Sequence, residues 1–319
     1  MRLSCINSQR ILIARGGTLG DFILTLPAIH ALRDAFPDAE INALANKAIA
    51  SLALEAIEID GIGSLDDSGL APFFIRSGDL SERWREYFRQ HDLVISYLYD
   101  PEKVFETNVR NLGVDRVVSG PSKIAAAGPH AAVQLAQPVR QLGIAIFDLA
   151  PRLHIDDRAR QNARQKLGAS PVIALHPGSG SPRKNWPIKN WIALIAYLIE
   201  RNLPVTIIGG EADRGQMAEL QTRFKSESVS FAIDWPLRGL AALVASSIFV
   251  GHDSGVSHLA AATGAASLVL FGPTDPQIWA PQNENARVLL APNRELEQLR
   301  FPIVCDAINQ ELMRIGIRT

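Results

Sequence analysis

The sequence predicts an α/β protein with two domains, each a doubly wound parallel sheet covered by helices on both faces. The length of 319 residues exceeds what one hydrophobic core usually organises. Apolar strand-like runs alternate with helical periodicity along most of the chain, which is typical of parallel strands joined by crossover helices. The alternation pauses near residues 148–167 and then resumes, which indicates a second unit of the same kind.

Residues 1–155 are predicted to form the amino-terminal domain and residues 156–302 the carboxy-terminal domain, both Rossmann-like. A proline-containing segment and then a charged, helix-prone one separate them. The tail at 303–319 has apolar residues at helical spacing, which predicts a helix that packs back on the amino-terminal domain. Ligands of open α/β sheets bind outside the carboxyl ends of the strands, so we expect the two domains to face each other across a central cleft.

The amino-terminal domain opens with a predicted strand at 10–14, a glycine-rich turn, and a helix at 21–36 that stops before Pro37. The other elements predicted here are a strand at 40–45, a helix at 48–57, a turn at 61–69, an amphipathic stretch at 81–89, and strands at 93–97 and 116–119. This order is that of βα units wound into a parallel sheet.

The same alternation recurs in the carboxy-terminal domain, after a charged, helix-prone segment at 156–167. The predicted strands are 172–176, 205–209, 248–251 and 267–271, and the predicted helices are 189–201, 212–224, 237–245 and 256–263. A second doubly wound unit is therefore predicted.

Charge and cysteine content argue against several classes of protein. The chain has 32 Lys and Arg residues against 33 Asp and Glu residues, so no nucleic-acid partner and no strongly basic membrane-binding face is predicted. Two cysteines, Cys5 and Cys305, are too few for a disulfide scaffold, and both are interpreted as structural residues in a reducing compartment. The seven histidines show no ligand pairing such as HExxH, so no metal is predicted.

The sequence predicts neither a secretory signal nor a membrane-spanning segment. Residues 1–15 lack the apolar run of a secretory signal, and the most apolar stretch, 259–271, is shorter than the roughly 18 residues needed to cross a bilayer. We expect a cytoplasmic protein with peripheral membrane contact and no obligate protein partner.

The first candidate site is GGTLGD at residues 16–21, between a predicted strand and helix. Glycines there allow a sharp turn and a close approach of the backbone to a ligand. Asp21 stands at a helix start, where it either faces the cleft or serves only as a helix cap.

The second candidate site is HPGSGSPRKNWP at residues 176–187, after the first strand of the second domain. Its small residues expose backbone N–H groups, and Arg183 and Lys184 add positive charge, which together suit a phosphate or diphosphate. A basic surface loop is the alternative interpretation.

The third candidate site is GHDSGVSH at residues 251–258. Ser254 and Gly255 stand at a helix N-terminus, whose dipole favours an anion, although a plain helix cap has the same pattern. His258 by itself is more typical of a buried core histidine than of a ligand. Glu211, after GG at 209–210, either accepts hydrogen bonds from sugar hydroxyls or begins an exposed helix.

Taken in this order, the motifs resemble those of glycosyltransferase family 9, the ADP-heptose:lipopolysaccharide heptosyltransferases, over essentially the whole chain. The matching sequence segments are GGTLGDFILTLPAIHALR from residue 16, HPGSGSPRKNWP from 176, DSGVSHLAAATG from 253 and LFGPTDPQIWAP from 270. The resemblance implies a GT-B fold and the inverting transfer of a heptose from ADP-heptose to a lipid-linked saccharide acceptor of the lipopolysaccharide inner core. It implies neither a cofactor nor a catalytic metal.

The resemblance also assigns roles to matching positions. Asp21 matches the proposed general base, with Thr18 and Gly20 shaping that wall of the cleft. Lys184 matches the lysine that meets the donor diphosphate. The other donor-side positions implied are Ser179, Gly180, Glu211 towards the ribose, Asp253, Ser254, Gly255, His258, and Trp235 towards the base, where a core tryptophan is the alternative.

Two other functions fit the same motifs. One is a GT-B-type enzyme that uses a UDP- or GDP-sugar, and the other is a non-catalytic protein that binds a nucleotide-sugar. The first glycine loop lacks the spacing GxGxxG, so a dinucleotide-dependent dehydrogenase is disfavoured.

Overall fold

The computed structural model describes residues 10–56, 58–167, 172–225 and 229–316. Cys5, Ile57 at the end of a predicted helix, and residues 317–319 of the predicted tail lie outside these ranges. The chain divides into two compact units, Met1–Leu149 and Ala150–Thr319. Each unit is an α/β layer structure around its own parallel sheet, which confirms the predicted fold class.

The first unit contains five strands and seven α-helices among its described residues. In chain order they are β1 (Arg10–Arg15), α1 (Leu19–Ile23), α2 (Leu26–Ala35), β2 (Glu40–Ala45), α3 (Lys47–Glu55), β3 (Gly61–Ser64), α4 (Glu82–Arg89), β4 (Leu93–Ser96), α5 (Val104–Arg110), β5 (Arg116–Ser119), α6 (Ala131–Leu135) and α7 (Gln137–Gln141). The sheet order is β3-β2-β1-β4-β5, and every pair is parallel.

The second unit contains six strands and seven α-helices within the described ranges. They are α8 (Asp157–Leu167), β6 (Val172–His176), α9 (Ile188–Glu200), β7 (Val205–Gly209), α10 (Arg214–Arg223), β8 (Val229–Ile233), α11 (Leu237–Val244), β9 (Ser247–His252), α12 (Gly255–Ala262), β10 (Ala266–Phe271), α13 (Pro276–Trp279), β11 (Ala286–Leu290) and α14 (Phe301–Arg314). The sheet order is β11-β10-β9-β6-β7-β8, again all parallel.

Three strands that the sequence analysis missed all lie at sheet edges. Central strands such as β4 and β7 are buried along their whole length, so they are continuous apolar runs in the sequence. The edge strands β3, β8 and β11 are only partly buried. Their mixed composition, with two glycines in β3, is typical of a turn or an exposed segment. The short helices α5, α6, α7 and α13 were also not predicted.

The predicted helix at 21–36 is two helices. α1 ends at Ile23, and α2 begins at Leu26 with Pro27 in its first turn. A proline has no N–H to donate, and its ring clashes with the carbonyl four residues earlier, which here belongs to Ile23. The break leaves α1 as a short separate helix directly after the glycine-rich turn.

The predicted tail helix is present as α14 and packs within the second unit. It contacts α9 and β10, while packing on the amino-terminal domain stays a prediction. Val304, Ile308 and Leu312 are fully buried in the core of the second unit. The helical period of the tail shows that one face is apolar, but it carries no information about which surface that face covers.

Among the described residues, we find no helix that is both long enough and apolar enough to span a membrane.

We predict that Ile308→Ala lowers the free energy of unfolding of the second unit by about 2–5 kcal/mol, because it leaves a cavity in a close-packed core. Ile303→Ala is the matched control, since Ile303 lies on the same helix and is 45% exposed. Urea denaturation followed by tryptophan fluorescence measures both. Equal effects of the two substitutions would contradict the assigned packing.

Candidate active site

Each sheet has one point at which its strand order changes direction. In the first unit β1 and β4 are neighbours there, and in the second unit β6 and β9 are. Loops that follow such strands diverge and leave a crevice at the carboxyl ends of the strands, where ligands of open α/β sheets bind. The segment 16–21 follows β1, the segment 177–187 follows β6, and Asp253 follows β9. Three of the predicted motifs therefore lie at these crevices.

In the first unit, Asp21 is the third residue of α1 and is bonded back to its N-cap. Its Oδ2 accepts hydrogen bonds from the Thr18 N–H at 2.8 Å and from the Thr18 Oγ1 at 2.9 Å. This is the acidic half of a capping box, so the capping interpretation of Asp21 is correct in part. The Asp21 side chain is still 30% exposed and open to a ligand. Gly20 is buried beside it, and Thr18 is exposed.

Arg15, which the sequence analysis missed, holds the other oxygen of this carboxylate. Its Nη2 lies 3.2 Å from the Asp21 Oδ1, and its Nε donates to the Thr25 Oγ1 at 3.1 Å. The guanidinium is 3% exposed and lies 5.6 Å from the centroid of the Tyr97 ring. Burial lowers the pKa of Arg15, and the adjacent Asp21 carboxylate opposes that change. The sequence feature that could have pointed to Arg15 is its position at the end of the apolar strand β1.

Gly17 is required by the geometry of this turn for two reasons. Its φ is +98°, a backbone conformation that favours glycine, and a Cβ built on it would lie 2.5 Å from the Asp21 Oδ2. The turn and the carboxylate are therefore packed directly against each other.

In the second unit, Lys184 contacts the turn that follows β9. Its Nζ donates to the Asp253 backbone oxygen at 2.7 Å and lies 3.2 Å from the Asp253 Oδ2. The Lys184 side chain is 24% exposed and that of Asp253 is 10% exposed. The cation is thus the more accessible partner of this ion pair.

The loop before Lys184 is ordered by its own side chains. The Ser179 Oγ is buried and lies 2.8 Å from the Ser181 backbone oxygen and 2.5 Å from the Asn185 Oδ1. Gly180 has φ +71°, and nothing lies within 4 Å of the position of a Cβ. The backbone of Gly180 therefore faces open space at the carboxyl end of β6.

Ser254 is the N-cap of α12, and Gly255 is its first residue. The Ser254 Oγ accepts from the Ser257 N–H at 3.4 Å and lies 3.4 Å from the His176 Nδ1. His258 lies in the first turn of α12 and is 4% exposed. The predicted helix cap is present, and the helix N-terminus lies next to the residue that carries the Lys184 contact.

Two carboxylates follow β7: Glu211, which the sequence analysis predicts to face the ribose, and Asp213. The Glu211 side chain is 84% exposed and lies 3.8 Å from Arg214. Asp213 is buried, accepts from the Gly210 N–H at 3.0 Å and lies 3.6 Å from the His176 Nε2. Burial by itself raises the pKa of Asp213, but these hydrogen bonds outweigh it and lower the pKa.

His252 is the second residue that the sequence analysis did not single out for a role. It is fully buried, its Nε2 accepts from the Trp186 N–H at 2.7 Å, and its Nδ1 lies 3.1 Å from the Gly178 backbone oxygen. Burial lowers the pKa of His252 to about 3. The ring is therefore neutral at physiological pH.

Trp235 lies apart from these contacts, two residues after the edge strand β8. It is half-buried, and the Lys166 Nζ lies 5.6 Å from its ring centroid. The core tryptophans of this unit are instead Trp186 and Trp191, both fully buried. Within the described ranges, no cluster of three or more His, Cys, Asp or Glu residues has the arrangement of a metal site.

Residues 123–304 match the sequence profile of glycosyltransferase family 9 (heptosyltransferase). The chain belongs to this family. It is therefore a glycosyltransferase, as the motifs had suggested.

Heptosyltransferases are among the relatives of this chain. Lipopolysaccharide heptosyltransferase 1 of Escherichia coli O18:K1:H7 is 23% identical over 343 aligned residues, which cover 95% of this chain and 98% of that protein. Lipooligosaccharide heptosyltransferase 2 of Haemophilus influenzae is 29% identical over 140 residues, and the match covers 42% of this chain and 40% of that protein.

Solved structures of family members share the fold. A glycosyl transferase family 9 protein of Veillonella parvula superposes with a TM-score of 0.78 at 20% identity, and covers 96% of this chain and 98% of its own. ADP-heptose lps heptosyltransferase II of E. coli superposes with a TM-score of 0.77 at 18% identity, and the match covers 96% of this chain and 99% of that chain. The chain accordingly has the GT-B fold.

We predict that Gly17→Ala lowers the free energy of unfolding of the first unit by more than Gly113→Ala does. Both glycines have a positive φ, +98° and +93°, but only at Gly17 would a Cβ meet other atoms, those of Asp21. Gly113→Ala therefore costs only the strain of about 1–2 kcal/mol, and the excess at position 17 measures the contact with Asp21. Urea denaturation of the two variants makes the comparison, and equal losses would show that the turn relaxes freely.

Proposed function

We propose that this protein transfers a heptose, with inversion, from ADP-heptose to a saccharide acceptor of the lipopolysaccharide core. The observation that carries the proposal is an accessible Lys184 ammonium anchored beside the N-terminus of α12, at the strand-order change of the second unit, in a family 9 chain. The donor is supported by an E. coli heptosyltransferase of the same fold that was solved with ADP and with ADP-2-deoxy-2-fluoro heptose.

The diphosphate of the donor is proposed to bind the loop after β6 and the start of α12. An ammonium has three N–H donors, and the two contacts with Asp253 leave a third for a phosphate oxygen. The open backbone at Gly180 and the N–H groups at Ser254 and Gly255 supply further donors. The donor itself is a substrate, and the proposal includes no cofactor.

Departure of ADP is the step that these groups assist. As the bond between the anomeric carbon and the phosphate oxygen breaks, the bonding electrons stay with that oxygen and negative charge grows on the diphosphate. Lys184 and the positive end of the α12 dipole stabilise this charge more in the transition state than in the bound donor. The proposed chemistry assigns this task to protein groups and does not require a metal.

Asp21 is proposed to accept the proton of the acceptor hydroxyl as its oxygen attacks the anomeric carbon from the face opposite to ADP. Attack from that face inverts the configuration. Three donors from Thr18 and Arg15 fix the carboxylate, while its exposed fraction leaves room for the acceptor. A positioned base of this kind contributes about 10²–10⁴-fold to a rate.

The acceptor in this proposal is lipid-linked, so the enzyme acts at the cytoplasmic face of a membrane through peripheral contact. The names of the curated relatives, which are lipopolysaccharide and lipooligosaccharide heptosyltransferases, support this assignment. Glu211 and Trp235 stay predicted contacts to the ribose and the base, and the exposure of Glu211 leaves it open to a ligand.

We predict that Asp21→Asn lowers kcat by about 10²–10⁴-fold, because the amide cannot take the proton, and leaves the affinity for ADP within twofold. Asp38→Asn, which neutralises an exposed carboxylate of the same unit, should leave turnover unchanged. Turnover is measured as ADP release with an acceptor from a lipopolysaccharide truncated before its heptoses. Wild-type turnover in Asp21→Asn would remove Asp21 from the role of base.

We predict that ADP raises the melting temperature of the protein more than UDP or GDP does at equal concentration, and that Lys184→Gln weakens ADP binding at least tenfold. Lys189→Gln is the matched control, because Lys189 is exposed in the first turn of α9. Isothermal titration measures the affinities. A preference for UDP or GDP would favour another donor, and tight ADP binding with no transfer would favour a non-catalytic nucleotide-sugar-binding protein.

A further inference from the structure

His252 occupies the position at which the two strands of the second unit's crevice diverge. It is the last residue of β9, next to β6 in the sheet, and its side chain is fully buried. The Trp191 ring meets the imidazole edge to face, with centroids 5.4 Å apart. The Ser257 hydroxyl donates to the His252 backbone oxygen. Both the ring and the backbone of this residue are therefore fixed by their surroundings.

The two ring nitrogens have opposite hydrogen-bonding roles, and the partners determine which is which. The Trp186 N–H is only a donor, so the Nε2 at 2.7 Å must accept. The Gly178 carbonyl is only an acceptor, so the Nδ1 at 3.1 Å must carry the proton and donate. Both bonds are satisfied only by the neutral ring protonated at Nδ1.

The partners of the ring bracket the segment that is proposed to bind the diphosphate. Gly178 directly precedes residues 179–185, and Trp186 directly follows them. One imidazole thus holds both ends of this segment, which contains Ser179, Gly180 and Lys184. The next residue after His252 is Asp253, which anchors the Lys184 ammonium. Residues 179–185 are therefore held against the end of β9 in three places. The His252 ring binds the residues at both ends of the segment, and Asp253 binds the Lys184 ammonium.

We infer that His252 is a positioning residue, which as a neutral, Nδ1-protonated imidazole holds residues 179–185 in the conformation that binds the donor diphosphate. This inference rests on the proposed function, since it names how the donor loop of that site is held. It goes beyond packing, because an apolar ring of the same size would fill the space and leave a buried N–H and a buried C=O without partners. Such orphaned groups cost free energy until the loop rearranges.

Four variants separate the positioning role from simple packing. His252→Phe removes both bonds while it keeps an aromatic ring. His252→Gln places an amide oxygen near the position of Nε2 and retains the bond from Trp186. His252→Asn places an amide N–H near the position of Nδ1 and retains the bond to Gly178. Ile248→Ala, at the buried amino-terminal end of the same strand, is a control that destabilises the core away from the loop.

ADP affinity by isothermal titration, at a temperature where every variant is folded, is the main readout. We expect His252→Phe to weaken ADP binding tenfold or more, the Gln and Asn variants to lie between it and the wild type, and Ile248→Ala to bind as the wild type while melting at a lower temperature. Wild-type ADP affinity in a folded His252→Phe would overturn the inference. If His252→Phe does not fold, an unaltered affinity in both the Gln and Asn variants would overturn it equally.

A second measurement uses the wild-type protein without nucleotide. Nitrogen-15 NMR of the imidazole should show a protonated Nδ1 and an unprotonated Nε2, and the Trp186 amide should exchange slowly with solvent. The other tautomer, or a rapidly exchanging Trp186 amide, would overturn the inference whether or not ADP binds. A wild-type protein that passes this measurement but binds no ADP would instead overturn the proposed function and, with it, the ligand assigned to the loop.

Discussion

Parallel pairing of β6 with β9 is the constraint on which the site of the second unit depends. The pairing sets His176 opposite Gly251, so both strands end at the same level of the sheet. The segments after the two strands then diverge, one into the loop that carries Lys184 and the other into the turn at Asp253 and the start of α12. Residues 69 positions apart in the chain, Lys184 and Asp253, are thereby in contact. A shift of this register would separate the ammonium from the helix N-terminus.

The two units use a cation and a carboxylate at their strand-order changes, but they expose opposite partners. In the first unit the Arg15 side chain is 3% exposed and that of Asp21 is 30% exposed. In the second unit the Lys184 side chain is 24% exposed and that of Asp253 is 10% exposed. One unit therefore offers a held carboxylate to a ligand, and the other offers a held ammonium. This difference is consistent with the proposed roles of Asp21 as a base and of Lys184 as an anion-binding group.

Buried polar groups hold both sites, and each has partners that compensate its loss of water. The Arg15 guanidinium has Asp21, Thr25 and the Tyr97 ring, and the His252 imidazole has Gly178 and Trp186. Burying such groups is unfavourable unless their hydrogen bonds are made, so a structure with one partner missing is disfavoured. The same bonds that offset the cost of burial fix the orientation of Asp21 and the two ends of the segment 179–185, so stability and preorganisation have a common origin here.

The sequence by itself determined the fold class, the positions of the central strands and the three loops that hold the candidate site, because apolar periodicity and glycine-rich turns are local properties of the chain. It also determined the family, through motifs that stand in a fixed order. Only the tertiary structure decided which polar residues are buried beside these loops: Asp213 lies buried next to His176, and Arg15 and His252 are buried as well, none of which the sequence analysis had singled out. It likewise decided that the edge strands pair and that α14 packs on the second unit. These features depend on contacts between residues distant in sequence, and no local pattern records which surfaces meet.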